Sequence, residues 1–188
     1  MQRYLAATTI VLLLGIVLSR VLLLKRKGIK AMNFGEIDKT DFFIPPFAFF
    51  YFYLVFAAAF RLPTVSTQQF FHSGIIAWVG VCLCLSGLLL IVLSLSSFGT
   101  SFRVGIDTQQ SGALVTGGVF GISRNPMYVA FASILIGQFL TFPNWILMVY
   151  IGAGSWLFNR QVLREEDYLK RHYGKEYSEY CGRVRRYL

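Results

Sequence analysis

The chain has 188 residues, of which 55% are hydrophobic and 14% charged, whereas a soluble domain carries nearer ~25% charge; an ordinary soluble globular domain is therefore excluded as the leading class. A net charge of +9 would suggest nucleic acid in a soluble protein, but here the basic residues flank apolar stretches, as they do in the cytosolic loops of membrane proteins facing anionic headgroups. Cys82, Cys84 and Cys181 have the spacing of neither a disulfide framework nor a metal site.

The first predicted element is an apolar helix from Tyr4 to Leu24. It is longer than the core of a signal peptide, has no A-x-A site at its end and runs into Lys25-Arg26-Lys27, so it reads as a retained membrane span. Arg20 lies close enough to the basic end to snorkel to the headgroups. A polar loop from Lys25 to Asp41 leads to a second span over Phe42–Phe60, whose Pro45 and Pro46 fall in the first turn, where proline costs little. After a short polar loop from Arg61 to Gln69, a third span is predicted over Phe71–Leu95. Its Gly74, Gly80 and Gly87 allow a neighbouring helix to approach closely.

From Ser96 to Ser123 the chain is polar and rich in glycine. A connection of that length in a compact chain usually has a function, and its interleaved Phe102, Val104, Ile106, Leu114, Val115, Val119 and Phe120 argue against disorder. Met127 to Phe158 is mostly apolar but would overshoot a ~30 Å hydrocarbon core as one helix. Thr141-Phe142-Pro143-Asn144 breaks it, which predicts a hairpin of two short helices, Met127–Leu140 and Trp145–Phe158, that barely span and so either tilt little or thin the bilayer. The tail from Asn159 to Leu188 is expected to be helical, with stops at Gly174 and Gly182 and an apolar face of Tyr173, Tyr177, Tyr180 and Val184. The expected fold class is thus all-α: a polytopic membrane bundle of about five transmembrane helices with a cytosolic helical tail. It divides into a three-span region, 1–97, and a loop, hairpin and tail region, 98–188. Fifteen Lys/Arg fall on the side of the first loop, the glycine-rich connection and the tail, against Arg3 and Arg61 on the other. That asymmetry predicts an N-terminus outside and a C-terminus in the cytosol, in the plasma or inner membrane or the endoplasmic reticulum.

Three stretches carry the chemistry: Gly117-Gly118-Val119-Phe120-Gly121-Ile122-Ser123-Arg124-Asn125-Pro126-Met127-Tyr128, the pair Glu165-Glu166, and Tyr173-Gly174-Lys175-Glu176-Tyr177-Ser178-Glu179-Tyr180. Taken singly, each has a plain structural reading. Asn125 and Pro126 make a good helix start, the glycines make turns, and Glu166–Lys170 and Asp167–Arg171 are i,i+4 pairs of a solvated face. Taken together they differ, because a hairpin returns the chain to the side it left. The Arg-Asn-Pro turn and the glutamates must then meet at the cytosolic interface, where a glycine-rich backbone and a helix N-terminus attract anionic groups and carboxylates accept from an ammonium or from sugar hydroxyls.

The run Leu114-Val115-Thr116-Gly117-Gly118-Val119-Phe120, followed by Arg124-Asn125-Pro126-Met127-Tyr128, the glutamate pair and the tyrosine-rich tail, resembles the isoprenylcysteine carboxyl methyltransferase family and the related phospholipid N-methyltransferases. The resemblance covers the chain from Phe98 to Leu188. It implies S-adenosylmethionine as cofactor, with S-adenosylhomocysteine as product, held in a membrane-embedded pocket without a Rossmann domain. By position it implies that Gly112, Ala113, Leu114, Val115, Gly118, Phe120, Asn125, Pro126, Met127, Tyr128, Glu165 and Glu166 line the cofactor. Arg124, Tyr128 and Glu165 would form the catalytic set, and Arg160, Gln161 and Arg164 would lie toward the acceptor. Asn125 stands where that family has histidine. Gln161 stands where the carboxyl methyltransferases carry an arginine thought to meet the substrate carboxylate, so prenylcysteine, a phospholipid amine, a hydroxyl and a thiol all remain open as acceptors.

The implied partners are the bilayer and a greasy acceptor entering from it, with no nucleic acid and no metal. Phe120 and Tyr128 can shield a sulfonium with their ring faces. His72 falls on the far side of the membrane, and His172 reads as an exposed tail residue. Two other readings compete. The tail around Tyr173-Gly174 and Tyr180-Cys181 also resembles sterol reductases, which would use a reduced nicotinamide cofactor. A non-enzymatic membrane protein is the third, disfavoured because the second and third spans are almost free of the mid-bilayer polar residues that transport requires.

Overall fold

The computed structural model describes residues 1–26, 44–62, 69–98 and 113–188. The described residues form six α-helices in order: α1 (Gln2–Arg26), α2 (Ile44–Phe60), α3 (Gly74–Phe98), α4 (Pro126–Thr141), α5 (Trp145–Tyr173) and α6 (Lys175–Arg183), with a 3₁₀ turn at Gly118–Gly121 before α4. Among the described residues there is no strand, and one isolated parallel bridge joins Ser123 to Arg185. The all-helical class and the element order match the expectation from sequence. α1 and α3 are long and apolar enough to cross a membrane, whereas α2 and α4 are shorter apolar helices.

Three boundaries differ: α3 starts and ends three residues later than the Phe71–Leu95 expected, α6 runs through the expected stop at Gly182 to Arg183, and the first part of the tail is not a helix of its own. The tail was expected to begin a separate helix after Phe158, but α5 runs unbroken from Trp145 to Tyr173. No glycine or proline lies between Phe158 and Tyr173, and Asp167 pairs with Arg171 one turn on, so nothing interrupts the hydrogen-bond ladder. The helix stops at Gly174, whose φ of 54° is a conformation that glycine adopts without a Cβ penalty and whose N–H caps the carbonyl of Lys170 at 3.0 Å.

The core is the seam between α3 and α4, flanked by α1. Ile10, Leu13, Val81, Ile91, Ala130, Ile134 and Leu147 are all buried in it. A Cβ built on Gly137 would lie 2.5 Å from the carbonyl oxygen of Gly80, 2.7 Å from Cys84 Sγ and 2.9 Å from Cys84 N, so the two helix backbones touch there. Gly137→Ala is therefore expected to push α3 and α4 apart and destabilise the protein by roughly 1–3 kcal/mol. Gly15→Ala, which meets nothing within 4 Å, should fall within about 0.5 kcal/mol of wild type; unfolding in detergent micelles compares the two. Gly80 and Gly87 make the predicted close approach against α4, but Gly74 does not, its nearest neighbour being Gln2 Nε2 at 3.8 Å.

Buried polar contacts fix how the helices are arranged end to end. Gln138 of α4 donates to the Ala6 carbonyl at 2.7 Å and to Thr9 Oγ1 at 3.1 Å on α1, and Tyr150 of α5 donates to the Phe47 carbonyl on α2 at 3.2 Å. At one end, Gln2 Nε2 donates to the Gly74 carbonyl, the ring of Tyr4 meets that of Phe60 and Phe70 N donates to Pro143 O. The starts of α1 and α3, the end of α2 and the tip of the α4–α5 hairpin thus gather together. The end of α3, the 3₁₀ turn, the start of α4 and the second half of α5 gather at the other end, where Phe98 packs edge-on against Phe120 with ring centroids 4.6 Å apart.

Candidate active site at the turn before the hairpin

The site begins where α3 gives way to the polar connection. Gly112 lies outside the described residues, and with it most of that connection. Ala113 is exposed, while Leu114 and Val115 are half-buried as they lead into the turn. Gly118 has φ +61°, and a Cβ there would collide with Ser97 Oγ at the end of α3; only glycine lets the turn lie so close to that helix. The turn buries Phe120, whose carbonyl accepts from Tyr180 Oη of α6 at 2.7 Å.

At the start of α4, Pro126 takes the first helical position as expected, but the Asn125 side chain makes no cap hydrogen bond. It reaches across the hairpin instead. Asn125 Nδ2 donates to Glu166 Oε1 and to the Arg186 carbonyl, both at 3.1 Å. Helix capping was the plain reading of this residue, and the contacts with α5 and the tail replace it.

The two adjacent glutamates serve different partners, because neighbours on a helix point ~100° apart. Glu165 Oε1 accepts from Tyr128 Oη at 2.6 Å and from Gln161 Nε2 at 3.4 Å. The rings of Tyr128, Phe131 and Phe158 pack around this contact. Glu166 is buried. Its Oε1 lies 3.1 Å from Arg124 Nη2 and also accepts from Arg124 Nε at 3.2 Å, and its Oε2 accepts from Arg186 Nε at 2.9 Å. The expected surface pairing of Glu166 with Lys170 is thus replaced by a buried cluster, whereas the pairing of Asp167 with Arg171 is present on the exposed face.

Sequence reading missed the last residues of the chain. Beyond α6 the backbone is extended at Val184; Arg124 N donates to Arg185 O at 2.9 Å, and Tyr187 Oη donates to Asn159 Oδ1 at 2.9 Å. Arg183, Arg185 and Arg186 read from sequence as part of a basic cytosolic end, and no spacing signal separates the one that faces inward. The expected apolar face of the tail is present in Tyr177 and Tyr180, both buried. Burial, above all, pushes the Tyr180 hydroxyl up to about 12, with the Arg124 charge opposing; Tyr177 is raised for the same first reason, and the negative charge of Glu166 adds to it. Both phenols stay protonated donors across the physiological range.

The other expected residues fall as follows. Pro126 is buried, and Met127 packs at the edge of the core. Arg160 lies over the Trp156 ring, 5.7 Å from its centroid; Gln161 is the next residue on α5 and Arg164 lies one turn on. His172 is exposed and stacks on Tyr168.

Chemically, this end of the bundle offers a glycine-rich backbone, one carboxylate tied to a phenol, aromatic faces and a second carboxylate neutralised by guanidinium groups. Residues 75–176 match the phospholipid methyltransferase family. Over 106 residues the chain is 27% identical to a protein-S-isoprenylcysteine O-methyltransferase of Dictyostelium discoideum, which covers 55% of this chain and 45% of that protein. It is 31% identical over 108 residues to protein-S-isoprenylcysteine O-methyltransferase B of Arabidopsis thaliana, covering 56% and 55%. With the protein-S-isoprenylcysteine O-methyltransferase of Tribolium castaneum it shares 27% identity over 125 residues, covering 62% and 44%. The chain spans about half the length of these curated relatives. No solved structure matches it.

Proposed function

This chain belongs to the phospholipid methyltransferase family, and from that premise we propose that it is an integral membrane enzyme that moves a methyl group from S-adenosylmethionine to a lipid-like acceptor. The observation that carries the reading is the 2.6 Å contact between Tyr128 Oη and Glu165 Oε1, made beside a glycine turn and joining residues that only the hairpin could bring together.

The donor set fits such a cofactor. Gly117 has open space where a side chain would be, so its backbone can lie against a nucleoside. Glu165, half-buried, offers a carboxylate to an ammonium or to ribose hydroxyls, and the faces of Phe120 and Tyr128 suit a sulfonium. When bound, S-adenosylmethionine supplies an electrophilic methyl group on a positively charged sulfur. The protein's own part is to bind and orient. Glu165 holds the polar end of the nucleoside, and Tyr128 fixes that carboxylate by donating to it. Arg124, Asn125 and Glu166 hold the turn, and Met127, Phe131 and Phe158 keep water from the reacting atoms. Toward the acceptor lie Gln161, Arg160 and Arg164, with the two guanidinium groups able to meet a carboxylate or phosphate.

The membrane arrangement belongs to the same proposal. Five crossings, with α2, α4 and the first half of α5 spanning beside α1 and α3, are supported by the alternation of helix ends described above. The Lys/Arg asymmetry favours a cytosolic site. The acceptor would then enter sideways from the bilayer. The relatives are named for a prenylated cysteine, a lipid-bearing carboxylate, which makes that class the first to try.

Isothermal titration of the detergent-purified protein with S-adenosylhomocysteine tests the cofactor. Saturable binding by wild type, weakened in Glu165→Ala and in Tyr128→Ala, is the expected result; equal binding by all three would remove the site from this place. Labelled-methyl transfer into membrane extracts, followed by lipid mass spectrometry, then identifies the acceptor.

A further inference from the structure

We propose that Arg186 is a positioning residue, which through Glu166 and through its own carbonyl orients the Asn125 carboxamide so that Asn125 meets the bound nucleoside as an acceptor. The inference rests on the methyltransferase reading for the identity of the ligand, but its geometry stands apart from it.

The argument is one of counting donors. An asparagine side chain carries two N–H donors and one carbonyl acceptor, and which way it points is settled by its neighbours. Asn125 Nδ2 faces Glu166 Oε1 and the Arg186 carbonyl, each at 3.1 Å. Both are acceptors and neither can donate, so the amide cannot be flipped, and both of its N–H groups are spent. What remains for a ligand is Oδ1, which can only accept. A group that donates is therefore the complement: an exocyclic amine, an ammonium or a ribose hydroxyl.

Arg186 closes a ring around this amide. Its carbonyl takes one Asn125 proton, and its Nε, 2.9 Å from Glu166 Oε2, holds the carboxylate whose other oxygen takes the second. Ser123 reinforces the ring, with Oγ donating to the Arg186 carbonyl at 3.4 Å and accepting from Asn125 N at 3.1 Å. Arg124 N pairs with Arg185 O next to it, and Tyr187 anchors this extended end to Asn159 on α5. The last residues of the chain thus act as a strap across the turn that opens α4. A ring closed by charge-assisted bonds in a poorly solvated place holds its geometry more firmly than its members would singly.

The test uses the full-length protein in detergent with Arg186→Ala, Arg186→Lys, Glu166→Gln, the double variant Arg186→Ala/Glu166→Gln, and Arg183→Ala at the exposed end of α6. Two readouts are needed. The first is amide hydrogen exchange without ligand: Arg186→Ala should speed exchange at Arg124 about tenfold, by loss of a charged hydrogen bond, and Arg183→Ala should not. The second is steady-state kinetics: Arg186→Ala should raise KM for S-adenosylmethionine about tenfold with kcat changed less than about twofold, because it loosens binding and not the chemical step. Arg186→Lys should recover most of that loss, and the double variant should be no worse than Glu166→Gln.

Unchanged exchange at residues 123–125 in Arg186→Ala overturns the proposal, as do losses that multiply in the double variant, since Arg186 would then act apart from Glu166. A fall in kcat at constant KM overturns it too. Should wild type bind no S-adenosylhomocysteine, the functional reading falls and the exchange data alone decide the strap.

Discussion

Glu165→Gln is expected to cut kcat/KM for S-adenosylmethionine by roughly 10²-fold, through loss of a half-buried, hydrogen-bonded charge, while leaving the unfolding transition in place. The reasoning follows the contacts of each oxygen. Glu165 is tied to Tyr128 Oη and Gln161 Nε2, and an amide oxygen in the glutamine variant can still accept from both. The fold therefore keeps its link between α4 and α5. What disappears is the negative charge offered to an ammonium or a ribose. Tyr128→Phe should cost less, about tenfold, because it removes one hydrogen bond to a charged group and keeps the aromatic face. Binding of S-adenosylhomocysteine, which shares the ammonium and the ribose, should weaken alongside in both variants. A glutamine variant within about threefold of wild type in kcat/KM would mean that this carboxylate faces no ligand.

How much of this site the sequence could reveal depends on which physical signal each part carries. Helix existence came from long apolar runs, and the hairpin from Pro143 and Asn144 in the middle of one; the structure has Asn144 capping α5, with Oδ1 accepting from Leu147 N at 3.0 Å. The meeting of Arg124 with the glutamates then followed from topology, because a hairpin must bring its ends together. The end of α5 was misjudged because the change from apolar to charged residues at Asn159 marks a change of solvent, and a helix crosses such a boundary without a break. The different partners of Glu165 and Glu166 were out of reach for another reason. Two identical side chains in succession look alike in sequence, and only the 100° step between them decides which faces a phenol and which faces two guanidinium groups. Asn125 looked like a cap because capping is a local rule, while its actual partners lie 41 and 61 residues away. The strap at Arg185 and Arg186 carried no signal of its own, since a basic C-terminal end is what membrane topology already requires.

The largest effect on stability is expected from Glu166→Ala, at about 3 kcal/mol or more, the cost of stranding a buried charge by removing its partner. Glu166 and Arg124 side chains are each 11% exposed, and Arg186 is 42% exposed. Removal of the carboxylate therefore harms the two arginines unequally. Arg186 can swing into water, but Arg124 stays beneath α6 with the Cys181 carbonyl, 3.2 Å from its Nη1, as its side chain's remaining acceptor among the described residues. Asn125 also loses one of its two acceptors, so the turn before α4 loosens at the same time. A buried ion pair is costly to break from one side and much less so to replace from both. Arg124→Leu/Glu166→Leu should for that reason unfold at a higher temperature than Glu166→Ala, even though it lacks two charges where the single variant lacks one. Thermal unfolding of the three proteins in the same detergent decides the matter. A Glu166→Ala protein as stable as wild type would mean that the cluster is solvated, and would leave Glu166 free for the nucleoside beside Glu165.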